Sequence, residues 1–143
     1  MDDRSGLLDR NAAATERLRA LVARLAPPDL GCALGGGWTV AFALCHLAFW
    51  DARQRAALER YARGEDFAEE DVVANQALEA VSGLLAAGAA GTEAVRAAEA
   101  VDAQLAALPP ARRDALLAGG CGFAVERWRH RDEHIAQIER ALS

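Results

Sequence analysis

The sequence predicts an all-α protein, and four long stretches of helical periodicity predict a four-helix bundle. Of the 143 residues, 52% are hydrophobic, and much of that share is alanine. Alanine, together with abundant leucine, glutamate and arginine, favours helices. No segment shows the alternation of β-branched residues that is typical of a strand. Four amphipathic helices pack by default as an up-down bundle, and we expect residues 1–143 to form a single domain.

Helix one and helix two are predicted to flank a glycine-rich loop. Helix one runs from about Leu7 to Ala26, where two consecutive prolines end it. The loop covers residues 31–37. Thr39 is the predicted N-cap of helix two, which ends near Gly64.

Helix two is predicted to lie at the centre of the bundle. From Val40 to Phe49 the helix is apolar on all sides, so we expect protein to surround this half. The whole apolar run, from Trp38 to Trp50, is too short to span a bilayer. We therefore expect no association with a membrane.

Helix three is predicted to start near Glu70 and to be interrupted at Gly88 and at Gly91. Thr92 is the expected cap of a continuation that runs through Leu108, and two prolines follow.

Helix four is predicted to begin between Gly120 and Phe123 and to run to the C-terminus. His134 borders its core side. That side carries apolar residues at helical spacing, namely Val125, Trp128, Ile135, Ile138 and Leu142.

Charge and cysteine content restrict the partners and the location that we expect. The formal net charge is -5 and no basic stripe stands out, so nucleic-acid binding is not expected. The chain begins Met-Asp-Asp-Arg, without the pattern of a signal peptide. Its three cysteines are an odd number and include no C-x-x-C pair, which argues against disulfides and against a cysteine zinc site. These features predict a cytoplasmic protein with reduced thiols.

All three histidines stand where a metal ion can use them. His130 and His134 are four residues apart, and on a helix this spacing offsets them by only about 40° and one turn. Both rings can then reach one ion. His46 lies within the apolar run of helix two. Three protein nitrogens with one open position are the layout of a catalytic metal site, and imidazole ligands suit Zn, Ni, Fe or Cu.

Each histidine also has a simpler interpretation. His46 can be a core histidine bonded to a carbonyl, although burial of imidazole is costly unless both nitrogens find partners. His130 and His134 can lie on a solvated helix face. The string between these two also matches the H-x-x-E-H motif of inverted zinc peptidases, but those enzymes are large and take a further acidic ligand far downstream, where this chain has few residues left.

Arg53 is the candidate substrate-binding residue. It lies about two turns beyond His46 on nearly the same helix face, where it could meet an anionic substrate. A surface salt bridge is the alternative use of this side chain. No residue is assigned a catalytic role. The aromatic residues around His46 are interpreted as core, and they are Trp38, Phe42, Phe49 and Trp50.

Two histidine motifs and one asparagine together carry a family resemblance. One motif is His46-Leu-Ala-Phe-Trp-Asp51 after a Trp-Thr-Val helix start, and the other is His130-Arg-Asp-Glu-His134-Ile-Ala-Gln-Ile. Asn75 follows an acidic linker. With this spacing the chain resembles, over nearly its whole length, the DinB-like (YfiT-like) proteins. Each motif is short, and their joint occurrence makes the resemblance specific.

The resemblance implies a four-helix bundle with a long crossover connection, often a homodimer, that holds one divalent metal on His46, His130 and His134. Relatives include mycothiol-dependent maleylpyruvate isomerase and bacillithiol transferases. In the isomerase branch a glutamate takes the place of His130, so this chain is closer to the tri-histidine branch. The implied function is that of a metal-dependent thiol transferase or isomerase with a small-molecule substrate and a low-molecular-weight thiol as cosubstrate.

Two other functions stay open from the sequence. One is a non-catalytic bundle that binds a metal or a small ligand, as a stress or sensor protein. The other is a purely structural dimer with an empty site. The sequence also does not choose among thiol transfer, isomerisation and hydrolysis by metal-bound water.

Overall fold

The long elements of the protein are all α-helices, which confirms the all-α class. The structure is a computed structural model, and it describes residues 3–67, 74, 78 and 86–143. The predicted start of helix three, at Glu70 and Asn75, lies outside the described residues. Within the part that is described, none of the helices combines the length and the apolar character needed to cross a membrane.

Six α-helices and one small hairpin make up the described part of the chain. The hairpin consists of β1 (Ala33–Gly35) and β2 (Trp38–Thr39), and two 3-10 turns cover Pro27–Gly31 and Ala87–Ala89. The helices are α1 (Asp3–Arg24), α2 (Val40–Ala62), α3 (Ala90–Ala107), α4 (Pro110–Ala118), α5 (Gly122–Val125) and α6 (Arg127–Leu142).

The four long helices contact one another in pairs. Helix α2 packs against α3 and α6, and α1 packs against the same two helices. The main core lies where the four meet, and it includes Leu18, Leu21, Val40, Leu44, Leu47, Ala94, Ala98, Ile135 and Ile138. Since α2 and α6 are neighbours, side chains from these two helices can meet in one place.

The first half of α2 is enclosed, as its apolar sequence predicts. Every residue from 40 to 50 is buried or half-buried. The predicted N-cap is also confirmed, because the Thr39 hydroxyl accepts a hydrogen bond from the Phe42 backbone N–H at 3.1 Å. This cap satisfies one of the backbone donors that a helix start leaves without an intrahelical partner.

The glycine-rich loop forms a short hairpin, which the sequence did not predict. Gly35, Gly36 and Gly37 have φ angles of +97°, +62° and +84°, which glycine adopts without steric cost. The three glycines turn the chain back so that Ala33 pairs with Thr39. Strands of three and two residues are too short to show an alternating pattern in the sequence.

The start of α3 also differs from the prediction. The helix begins at Ala90 with Ala89 as its N-cap, so Thr92 lies inside the first turn and is not the cap. Gly91 does not interrupt the helix. A Cβ added there would come within 2.8 Å of a methyl carbon of Val22, so this glycine allows α1 and α3 to approach closely.

Two further boundaries were not anticipated from the sequence. Pro110 is the first residue of α4, where its missing N–H costs nothing. The proline pair therefore separates α3 from a further helix. Predicted helix four is divided into α5 and α6 at Glu126, which has φ -85° and ψ 59°. This non-helical residue changes the chain direction just before α6, which carries His130 and His134.

A buried arginine joins all four long helices. The Arg131 side chain is 0% exposed, and its guanidinium reaches Asp51 Oδ2 on α2 at 3.3 Å and Asp102 Oδ1 on α3 at 2.9 Å. It also donates to the backbone carbonyl of Asn11 and to the hydroxyl of Thr15, both on α1 and both at 3.0 Å. Buried charges are tolerated when they are paired and hydrogen-bonded in this way.

We predict that Arg131→Met destabilises the protein by about 3–5 kcal/mol, because Asp102 loses its cation, the buried Asp51 keeps only Arg127, and the hydrogen bonds to α1 are lost. Arg17→Met is the matched control, since the Arg17–Asp132 ion pair is half-exposed and such pairs contribute about 1 kcal/mol or less. Urea unfolding followed by circular dichroism measures both. Equal losses in the two variants would show that the buried arginine does not hold the helices together.

Candidate metal site

The structure brings the three histidines together. His46 comes from α2, and His130 and His134 come from α6. The ring centroids are 4.9 Å apart for His46 and His130, 4.7 Å for His46 and His134, and 4.8 Å for His130 and His134. One nitrogen from each ring lies within 4.8 Å of the others, so the cluster could hold a metal ion.

The three rings differ in burial and in their hydrogen bonds. His46 is 5% exposed and His134 is 7% exposed, whereas His130 is half-buried. His134 is thus the more enclosed of the pair on α6, in keeping with its predicted position at the core side. Its Nδ1 lies 2.9 Å from the side-chain oxygen of Gln137. An amide oxygen only accepts, so Nδ1–H donates to it and Nε2 keeps its lone pair for the cluster.

The environment of His130 keeps its ring neutral. Its pKa is lowered from 6.5 to about 2, first by burial and then by the positive charge of Arg127, with smaller contributions from the other two histidines and from Arg131. Only a neutral imidazole can coordinate a metal. The surroundings of His130 therefore keep the ring uncharged, which is one requirement for binding a metal.

A buried ion pair between Arg127 and Asp51 lies next to His130. Arg127 Nη2 lies 3.2 Å from His130 Nδ1, and Arg127 Nε donates to Asp51 Oδ1 at 2.8 Å. The Asp51 side chain is 0% exposed and the Arg127 side chain 4%. Our sequence reasoning missed both residues. The sequence did contain a signal for this pair. Asp51 directly follows the apolar run, so its carboxylate is expected to be buried and to need a cation. Arg127 and Arg131, on either side of His130, are candidates for that cation.

A cavity of about 760 Å³ opens beside the histidines. Trp38 forms one wall, where its ring stacks on that of His134 with the centroids 5.7 Å apart and the planes 17° apart. Glu126 and Arg129, which also line the cavity, form an ion pair of 2.8 Å. The cavity is also lined by His46, Trp50, Phe123, Arg127, His130 and Glu133. A small organic molecule can therefore reach the histidine cluster.

Arg53 stays a prediction as a substrate-binding residue. Its side chain is half-buried on α2, and Nη1 donates to the side-chain oxygen of Gln54 at 3.2 Å. Arg53 is not one of the described residues that line the histidine cavity. The aromatic residues expected to be core divide into two groups, because Trp38 and Trp50 line the cavity.

One cysteine lies beside the histidine cluster in the sequence. Cys32, Cys45 and Cys121 are all free thiols. Cys45 is adjacent to His46 in sequence, but burial raises the pKa of its thiol and so disfavours the reactive thiolate.

Comparisons with protein-family models, with curated proteins and with solved structures found no match. The resemblance to the DinB-like proteins therefore rests on the residues of this chain alone.

The donor set of the cluster fits a divalent transition metal. Imidazole nitrogens suit Zn, Ni, Fe or Cu and are poor ligands for Mg or Ca. In a tetrahedral zinc site the ligand nitrogens lie about 3.4 Å apart. His46 Nε2 and His130 Nε2 lie 2.9 Å apart, at hydrogen-bonding distance. To hold the ion, this pair would have to separate by about half an ångström, and the cluster nitrogens, which lie within 4.8 Å of one another, would have to reach the same spacing.

The lowered pKa of His130 predicts a loss of stability in mild acid. A histidine that stays neutral when folded but has a pKa of 6.5 when unfolded stabilises the fold fully above that value. As the pH falls from 6.5 toward about 2, the unfolded state binds more protons and the contribution is lost. Between pH 6.5 and about 4.5 we expect the free energy of unfolding to fall by about 2 kcal/mol from this residue alone.

The measurement is urea unfolding of chelator-treated protein across this pH range. His130→Gln is the comparison, because it removes the titrating ring while every carboxylate continues to titrate. We expect the variant to show a shallower pH dependence than the wild type. Parallel curves would contradict a depressed pKa at His130.

Proposed function

We propose that the protein is a metal-dependent enzyme that transfers a low-molecular-weight thiol to a small electrophile, and that it belongs to the DinB-like (YfiT-like) proteins. One observation carries the proposal. Imidazole nitrogens from α2 and α6, separate in the sequence, meet within 4.8 Å of one another beside a cavity of about 760 Å³. Metal donors and room for a substrate therefore occur at the same place.

The packing of the helices supports the assignment to this family. The helices α1, α2, α3 and α6 each contact two of the other three, as neighbours do in a four-helix bundle. In the proposed bundle the link from α2 to α3 is the long crossover, and the homodimer implied by the resemblance stays a prediction.

We assign separate roles to the histidines and to one carboxylate of the cavity. His46, His130 and His134 would hold the metal. A bound divalent metal supplies positive charge that favours the thiolate form of a thiol. Glu133 is exposed and lines the same cavity, so its carboxylate is placed to accept the S–H proton. The sulfur then forms a bond to the electrophilic carbon, and the leaving group departs with its bonding electrons.

The cavity wall indicates a substrate with a flat, apolar part. Trp38 and Trp50 line the cavity next to the histidines. Phe123 adds a third aromatic ring, and this residue is 38% exposed. Aromatic side chains favour offset or edge contacts with flat apolar groups. The ion pair of Glu126 and Arg129 adds charged groups to the lining of the same cavity.

We predict that protein purified without a chelating tag carries up to one divalent metal ion per chain at pH 7.5. His134→Ala is expected to abolish binding, because it removes the ligand that Gln137 orients. His130→Glu is expected to keep a metal with altered affinity, since a carboxylate is also a competent ligand. Elemental analysis measures the content.

Glu139→Gln serves as the control for this experiment, because Glu139 is exposed on the same helix and is not part of the cluster. It is expected to bind as the wild type does. Equal metal content in the wild type, His134→Ala and His130→Glu would mean that the ion sits elsewhere, and the thiol-activation proposal would lose its basis.

We predict that the metal-loaded protein accelerates the reaction of a small thiol, such as N-acetylcysteine, with chlorodinitrobenzene, and that a chelator abolishes the acceleration. The absorbance of the thioether follows the reaction. Phe123→Ala is expected to raise KM for the aromatic electrophile about 3- to 10-fold with kcat retained, because a contact made equally in the ground state and the transition state is lost.

Leu117→Ala is the matched control, because both side chains are 38% exposed and Leu117 is not among the described residues that line the cavity. Its KM is expected to equal that of the wild type. Metal binding without any metal-dependent turnover across several thiols and electrophiles would instead favour the non-catalytic, metal-binding alternative.

A further inference from the structure

The hydrogen bond between Arg127 and His130 has a defined direction. A guanidinium group carries only donors, so Arg127 Nη2, 3.2 Å from His130 Nδ1, must donate. The accepting Nδ1 then has a lone pair and no proton. In a neutral imidazole the single proton is therefore on the other nitrogen, Nε2.

This proton is directed into the histidine cluster. His130 Nε2 lies 2.9 Å from His46 Nε2, so His130 donates and His46 accepts. The hydrogen bonds form a chain in which Arg127 donates both to Asp51 and to His130, and His130 donates to His46. His134 is different, because Gln137 holds its proton on Nδ1.

From this chain we propose that Arg127 is a positioning residue that holds His130 as a proton donor to His46, so that His130 can coordinate a metal only when the Arg127–His130 hydrogen bond breaks. The proposal rests on the metal site of the proposed function. It makes His130 the conditional ligand, whereas His134 has a lone pair that already faces the cluster. Arg127 in this view lowers the affinity of the site for metal.

The partners of a ligating histidine explain why this bond has to break. A histidine that binds metal through one nitrogen normally donates its other N–H to an acceptor. Arg127 offers His130 no acceptor, and an N–H on Nδ1 would face a cation. Either the ring or the guanidinium must therefore move before Nε2 can give its lone pair to an ion.

The guanidinium is not free to move at low cost. Arg127 is 3% exposed, and it is bound to Asp51 Oδ1 at 2.8 Å and to the backbone carbonyl of Phe123 at 2.7 Å. Asp51 is in turn held by Arg131 at 3.3 Å. The firmly held Arg127 guanidinium therefore favours the tautomer of His130 that cannot bind a metal through Nε2.

The first test uses the metal-free wild type and requires neither metal binding nor activity. Nitrogen-15 correlation spectra of the histidine rings report which nitrogen carries the proton. We expect His130 to carry its proton on Nε2 and His134 to carry it on Nδ1. A proton on Nδ1 of His130 would overturn the proposal, whether or not the protein proves to be an enzyme.

The second test replaces Arg127 by glutamine, whose side-chain oxygen can accept a hydrogen bond from His130 Nδ1–H. Arg127→Gln is expected to move the His130 proton from Nε2 to Nδ1. It is also expected to raise the affinity for Zn²⁺ by about tenfold or more, measured by competition with a chelating dye. Arg140→Gln is the control, because it removes one positive charge from an exposed position on the same helix and leaves the chain of hydrogen bonds intact.

The two measurements distinguish the failure of this proposal from the failure of the proposed function. A wild type that carries the expected tautomer but binds no zinc contradicts the metal-dependent function and leaves the role of Arg127 in positioning His130 intact. An unchanged tautomer in folded Arg127→Gln, or an equal gain of zinc affinity in Arg140→Gln, would overturn the role of Arg127. The wild-type spectrum decides the question alone if Arg127→Gln does not fold.

Discussion

The arrangement of this protein depends on one buried carboxylate. Asp51 is 0% exposed on α2 and binds two arginines of α6, Arg127 through one oxygen and Arg131 through the other. Burial of a carboxylate is costly unless cations and hydrogen bonds compensate it. The register between α2 and α6 is therefore restricted to the one that supplies both cations. That register also places His46 opposite His130.

The same pair of arginines determines the character of the histidine cluster. Positive charge and burial hold His130 neutral, which favours ligation, but Arg127 also supports the tautomer that does not ligate. The site thus combines two opposing influences on one ring. The hairpin adds a wall, because its glycine turn places Trp38 against His134.

Local patterns were sufficient for the long helices and for the identity of the cluster. Apolar spacing predicted the long helices, and the side chain of Thr39 marked the start of α2. The four-residue spacing of His130 and His134 placed both rings on one face, and the apolar surroundings of His46 predicted its burial. These features depend on residues within one or two helical turns, so the sequence by itself determines them.

Contacts between distant segments were decided only by the tertiary structure. Gly91 appears in the sequence as a helix interruption, yet it lies inside α3 because Val22 of α1 packs against it. Thr92 has the chemistry of a cap but does not serve as one. The pairing of Asp51 with Arg127 joins residues far apart in the chain, and the sequence offers other arginines as partners. The physical reason is that close approach and charge compensation depend on how helices pack, which periodicity within a single helix does not specify.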